Sequence, residues 1–120
     1  MTPEQFEKIW LDQVATEKSM LLERAAAYAT NGDRLGNFYE GAQLNGCHPL
    51  RYGFSLVSKH IVALRDLIVK IEAGQGSYSD YEAGKFNEYI TDIRNYAVLM
   101  QAIYSQYKQQ AHDLIGGGHD

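Results

Sequence analysis

The stretch from His48 to Gly74, HPLRYGFSLVSKHIVALRDLIVKIEAG, decides the fold. Its apolar residues Phe54, Val57, Ile61, Leu64, Ile68 and Ile71 alternate three and four apart, the period of a helix with one apolar seam. His48-Pro49 marks where that helix opens, since proline suits the first helical position. A heptad-like seam needs a near-parallel or antiparallel helix to pack against. The rest of the chain must therefore supply helical partners.

It does so on both sides. Toward the C-terminus, Ser79-Asp80-Tyr81-Glu82 has the form of a capping box. Phe86, Tyr89, Ile93, Tyr96, Met100, Ile103 and Tyr107 then repeat three and four apart. Toward the N-terminus, Thr2-Pro3-Glu4-Gln5 opens a helix carrying Phe6, Ile9, Trp10, Val14, Leu21, Ala25 and Tyr28 on one side, with Glu17 and Arg24 beside that stripe. Asn31-Gly32 ends it, glycine supplying the left-handed residue of a helix terminus. Asp33 can cap a short helix holding Leu35, Phe38, Tyr39 and Ala42, which stops at Asn45-Gly46. Gly74-Gln75-Gly76-Ser77 reads as a linker. Short connections between long helices make antiparallel neighbours. The expectation is an all-α antiparallel bundle of three long helices and one short one, a single domain over residues 1–115 with a flexible tail at 116–120 that begins at Gly116-Gly117-Gly118.

At 120 residues the chain has room for one domain. Three or four helices leave apolar surface uncovered at this size, so a homo-oligomer is expected. A net charge of −4 supplies no basic stripe to neutralise duplex phosphates, which argues against a duplex nucleic acid partner but not against a single nucleotide. The one cysteine, Cys47, allows no disulfide framework and no paired-cysteine metal knuckle. Glu4, Glu7 and Asp12 interrupt the N-terminal apolar pattern, unlike a signal peptide, and no apolar run reaches membrane-spanning length. The expected compartment is the cytoplasm, with no membrane partner. Glycine-rich phosphate loops, HExxH and GxSxG are missing from the sequence.

Three groups of residues could carry chemistry. On the last helix Glu88, Asp92 and Asn95 are spaced to project from one face. Two carboxylates a turn apart repel unless solvated, paired with a cation or sharing a metal such as Mg2+, whose preference is for hard oxygen ligands. A solvated flank is the plain alternative. On the third helix Lys59 and His60 stand side by side. His60 borders the apolar seam, where a histidine bonded to a backbone or tyrosine partner is the simpler expectation. Lys59 shares a side with Tyr52, Leu56 and Ala63 and, if buried, needs an anionic partner. Between the first two helices, Tyr28, Arg34, Asn37, Phe38 and Tyr39 form a polar–aromatic junction. There Arg34 could bind phosphate beside helix amides and an aromatic ring could stack on a base. Alternatively, Phe38 and Tyr39 are core and Arg34 pairs with a nearby carboxylate.

The order of Gly32-Asp33-Arg34-Leu35-Gly36-Asn37-Phe38, Lys59-His60 and Asp92-Ile93-Arg94-Asn95-Tyr96 resembles a family found largely in phages, the nucleotide modification associated domain. The likeness runs roughly from Glu17 to Tyr104. That family looks related to the all-α NTP pyrophosphohydrolases of the MazG and dUTPase type, which hold magnesium through paired acids on two helices. The resemblance implies a nucleotide ligand, bound through Tyr28, Arg34, Asn37, Phe38, Lys59, His60, Asp92, Asn95 and Tyr96. Glu88 and Asp92 would hold Mg2+ if the chain hydrolyses. Here Lys59-His60 stands where acids would be wanted, which suits direct grasp of phosphate. Three readings follow: binding or sequestration of a phosphorylated nucleotide, including one used as a signal in antiviral defence; magnesium-dependent pyrophosphohydrolysis; or a helical protein-interaction module.

Overall fold

The computed structural model describes residues 1–28, 33–74 and 80–116, and within these the side chains outside 24–28, 80–83 and 115–116. The chain is all-α. Its helices are α1 (Pro3–Tyr28), α2 (Gly36–Leu44), α3 (Pro49–Glu72) and α4 (Asp80–Gly116), with no strand among the described residues. The expected stop at Asn31-Gly32, the capping box at Ser79, the linker at 75–77, and the side chains of Arg24 and Tyr28 lie outside the described residues. Gly116, expected to start the tail, still belongs to α4.

The helix ends follow from local chemistry. At α1 the Gln5 amide donates to Thr2 Oγ1 at 3.1 Å and the Thr2 amide donates to Gln5 Oε1 at 2.8 Å, a reciprocal capping box. At α3 His48 is the N-cap, its Nδ1 accepting the Leu50 amide at 3.0 Å, and Pro49 follows in the first turn. At α2 the expected cap is displaced by two residues. Asp33 Oδ1 accepts the Leu35 amide at 2.9 Å, closing the turn before the helix, and Leu35 occupies the N-cap with no side-chain bond. Gly46 and Gly74 sit at φ 64° and 63° just past α2 and α3, a conformation that favours glycine.

Cross-helix pairs fix the directions. His60 meets Asp92 and Tyr96, and His48 meets Tyr107, so α3 and α4 run antiparallel. Gln13 Nε2 donates to Thr91 Oγ1 at 2.8 Å and Glu17 pairs with Arg94, so α1 runs parallel to α4. The α3–α4 pairing is the most extensive; α2 lies on α3 and α1 on α4. Leu35, Phe38 and Ile103 form the buried centre, with Tyr52, Leu56, Tyr96 and Leu99 packed around them. None of the helices, within the described residues, is long and apolar enough to cross a membrane.

The seam of α3 divides in a way its period alone does not reveal. Gly53, Val57 and Leu67 are buried, and a Cβ on Gly53 would stand 3.1 Å from Met100 Cγ. That small residue lets α4 come close, and α3 rolls its Gly53 side onto it. Phe54, Ile61 and Ile68, half of the expected seam, are left 53%, 48% and 36% exposed. The chain is extended as well: its radius of gyration is 18.3 Å, against about 14 Å for a compact domain of this length.

Candidate functional site

A cavity of about 410 Å3 opens where all four helices meet. α4 contributes Asp92, Asn95, Tyr96 and Leu99, α3 contributes Tyr52 and Leu56, and α1 contributes Leu21. From α2 and the turn before it come Arg34, Asn37, Phe38, Glu40, Gly41 and Leu44. Six residues expected from the sequence to hold a ligand are thus brought together: Arg34, Asn37, Phe38, Asp92, Asn95 and Tyr96.

The helical spacing of α4 explains the polar wall. Asp92 and Asn95 lie three apart, share a face and are both buried. Of the expected stripe, Asp92 and Asn95 point inward, while Glu88 is on the solvated flank. Asp92 faces His60 Nδ1 at 3.6 Å. His60 in turn stacks on Tyr96, ring centroids 5.1 Å apart and planes at 29°. Asn95 is 6% exposed, and its Oδ1 is buried with no hydrogen-bond partner. Such an atom carries a desolvation penalty of about 1–3 kcal/mol until something donates to it.

The lining is also aromatic. Phe38 sits edge-on to Tyr52 and to Tyr96, both at 6.4 Å. α2 approaches α3 closely enough that a Cβ on Gly41 would run into the Tyr52 ring. Glycine at 41 therefore sets where the Tyr52 ring can stand and, with it, the shape of the cavity. Arg34 adds a cation to the lining from the turn before α2, where the Leu35 and Gly36 amides are bonded to Asp33.

Other expected residues are placed elsewhere. Lys59 does not join the group. It continues the Tyr52–Leu56 side of α3 by one more turn, but it is exposed and lies outside the cavity lining. Its neighbour His60 is rotated about 100° away and turned toward α4, so adjacency in sequence did not become a shared site. Tyr28 ends α1, with its side chain outside the described residues.

The magnesium site implied for Glu88 and Asp92 does not fit either. Glu88 faces solvent and pairs with Lys85 at 3.2 Å, while Asp92 is buried against His60. Glu17 is matched by Arg94 and Asp66 by Arg65 at 3.0 Å. Glu88, Glu17 and Asp66 each have a Lys or Arg neighbour, Asp92 faces an imidazole, and no group of three or more His, Cys, Asp or Glu among the described residues is placed to hold a metal ion.

Tyr52, Leu56, Leu99, Gly41 and the buried Thr91 were not singled out for a site by the sequence. The available signal was the shared helical side of Tyr52 and Leu56. Thr91, which donates to the Asn87 carbonyl at 2.8 Å while accepting from Gln13, gave none. Comparison with family models, curated proteins and solved structures finds no match for the chain.

Proposed function

We propose that this chain binds one nucleotide in the cavity and holds it without turnover, acting in the cytoplasm. The observation that carries the reading is Asn95, a cavity-lining residue beside Asp92 whose Oδ1 is buried and unpartnered. Two oxygen acceptors a turn apart suit the amino and imino donors of a base edge or the hydroxyls of a ribose. Tyr52, half-buried on the cavity lining, supplies an aromatic surface for stacking, worth about 1–3 kcal/mol per base. Arg34, on the cavity lining just before α2, supplies a planar cation for phosphate. His60 supports Asp92 from behind rather than gripping phosphate. A cavity of this size belongs to the range that accepts small ligands, roughly 300–1,000 Å3. The motif order Asp33-Arg34, Asn37-Phe38, Asp92 and Asn95-Tyr96 adds the resemblance that suggested a nucleotide.

Turnover has less support, because the carboxylates it would need are spread over separate ion pairs. The helical arrangement is best read as an antiparallel bundle that self-association completes. The test is calorimetric titration of the chain with nucleoside mono-, di- and triphosphates, with and without Mg2+. Saturable binding in the absence of Mg2+, with the nucleotide recovered intact, supports the reading. Magnesium-dependent release of pyrophosphate would replace it with hydrolysis.

A further inference from the structure

We propose that a second copy of this chain packs on the Phe54–Ile61–Ile68 flank of α3, the two α3 helices running antiparallel about Ile61. The inference is independent of what the cavity holds. Phe54, Ile61 and Ile68 lie seven apart, forming one straight column on the helix surface, and all three are exposed. Tyr52 and Leu56, which face α2 and the cavity, lie roughly half a turn around α3 from this column. The column therefore looks away from α1 and α2, on the open side of the α3–α4 pair.

Two magnitudes point to a copy of the chain rather than a small ligand or peptide. The accessible surface is 8841 Å2, whereas a compact monomer of 13.5 kDa exposes about 6,500 Å2. The excess, about 2,300 Å2 per chain, summed over two chains falls within the roughly 2,000–5,000 Å2 of obligate homodimers. The radius of gyration of 18.3 Å, against about 14 Å for a compact chain of this length, shows the same excess of uncovered surface.

Charge sets the direction and the face. Arg51, Ser58, Arg65 and Glu72 flank the column, again seven apart. Antiparallel pairing about Ile61 sets Phe54 against Ile68 of the second copy and Arg51 against Glu72 of the second copy, and the two-fold axis repeats each match. Parallel pairing would set Arg51 against its own equivalent. α1 also exposes apolar side chains at Phe6, Ile9 and Trp10. Pairing that stripe with itself in antiparallel fashion brings Glu4 against Asp12 and Lys8 against Lys8, so it lacks this self-complementarity.

Sedimentation equilibrium of the full chain tests the assignment, alongside Ile61→Glu, Trp10→Glu, Arg51→Glu and the double variant Arg51→Glu/Glu72→Arg, with helix content followed by circular dichroism. The wild type is expected at twice 13.5 kDa and Ile61→Glu at the single-chain mass with its helices retained. Arg51→Glu weakens association severalfold, and adding Glu72→Arg restores it. Arg51 and Glu72 stand at opposite ends of α3, so that rescue can arise only between chains and still decides the matter should Ile61→Glu fail to fold. A wild type that stays at the single-chain mass at micromolar concentrations overturns the proposal. So does association that survives Ile61→Glu but is lost in Trp10→Glu, or a double variant no stronger than Arg51→Glu.

Discussion

Asn95 stands out among the residues of α4 because its Oδ1 is buried without a hydrogen-bond partner. An apolar side chain of similar size would fill the same volume without an orphaned oxygen, so the apo protein is less stable for having asparagine there. Asn95→Leu is therefore expected to leave the apo melting temperature unchanged or higher, by the equivalent of about 1 kcal/mol, while abolishing any nucleotide-induced shift. Thermal denaturation with and without nucleotide reads both effects; a lower apo melting temperature with the ligand shift intact would mean that Asn95 serves the fold. Tyr39 behaves differently. Burial, and then the Asp33 carboxylate, hold its phenol above the ordinary tyrosine value of 10.0. A folded value above the unfolded one means that the neutral phenol, donating to Gln106 Oε1, contributes stability fully present below pH 10 and lost as pH rises through the folded value. Tyr39→Phe should flatten the alkaline decline in stability as pH rises from 10.0 through the folded value, measured by denaturant titration across pH, relative to the wild type.

Between elements, the close approach of α3 and α4 rests on Gly53. A methyl at that position would stand 3.1 Å from Met100 Cγ, tighter than ordinary packing, beside the fully buried Ile103. Gly53→Ala gains helix propensity of about 1 kcal/mol, but overpacking costs roughly 1–3 kcal/mol, so net destabilisation is expected on urea unfolding. Net stabilisation would show that Met100 moves aside freely. At this scale much was legible in the sequence. The period of α3 and α4, the Thr2–Gln5 capping box and the His48-Pro49 start all emerged from local chemistry acting within a few residues. What the sequence could not reveal depended on rotation about a helix axis. Phe54, Ile61 and Ile68 have the same spacing as Val57, Leu64 and Ile71, and only the roll imposed by Gly53 against Met100 decides which column turns inward. The same uncertainty misplaced Lys59. Its neighbour His60 falls on the α4 side, whereas Lys59 remains on an exposed stretch beyond Leu56. Asp92, Asn95 and Tyr96 were legible as one face because i, i+3 and i+4 spacing holds whichever way a helix rolls. Gly41 and Thr91 were not, since their roles exist only against Tyr52 and Gln13 of other helices.

Across the whole molecule, a small centre built on Leu35, Phe38 and Ile103 supports helices that reach well beyond it. The cavity lies beside that centre and draws on every helix: Leu21 from α1, Gly41 from α2, Tyr52 from α3 and Asn95 from α4. Filling it would tie α1 and α2 to the α3–α4 pair, so a ligand is expected to stabilise the fold as a whole, by about 2.7 kcal/mol at a hundredfold excess over Kd. The exposed column on α3 looks the other way, so the proposed self-association and the proposed ligand binding call on separate faces. The central claim is that the cavity holds a nucleotide through the Asn95 acceptor. Calorimetric titration of the wild type and Asn95→Leu with the same nucleotide panel, without Mg2+, tests it most directly. Saturable binding by the wild type, intact nucleotide afterwards and no binding by Asn95→Leu are the predicted result. A panel that never binds, or binds both proteins equally, would contradict it.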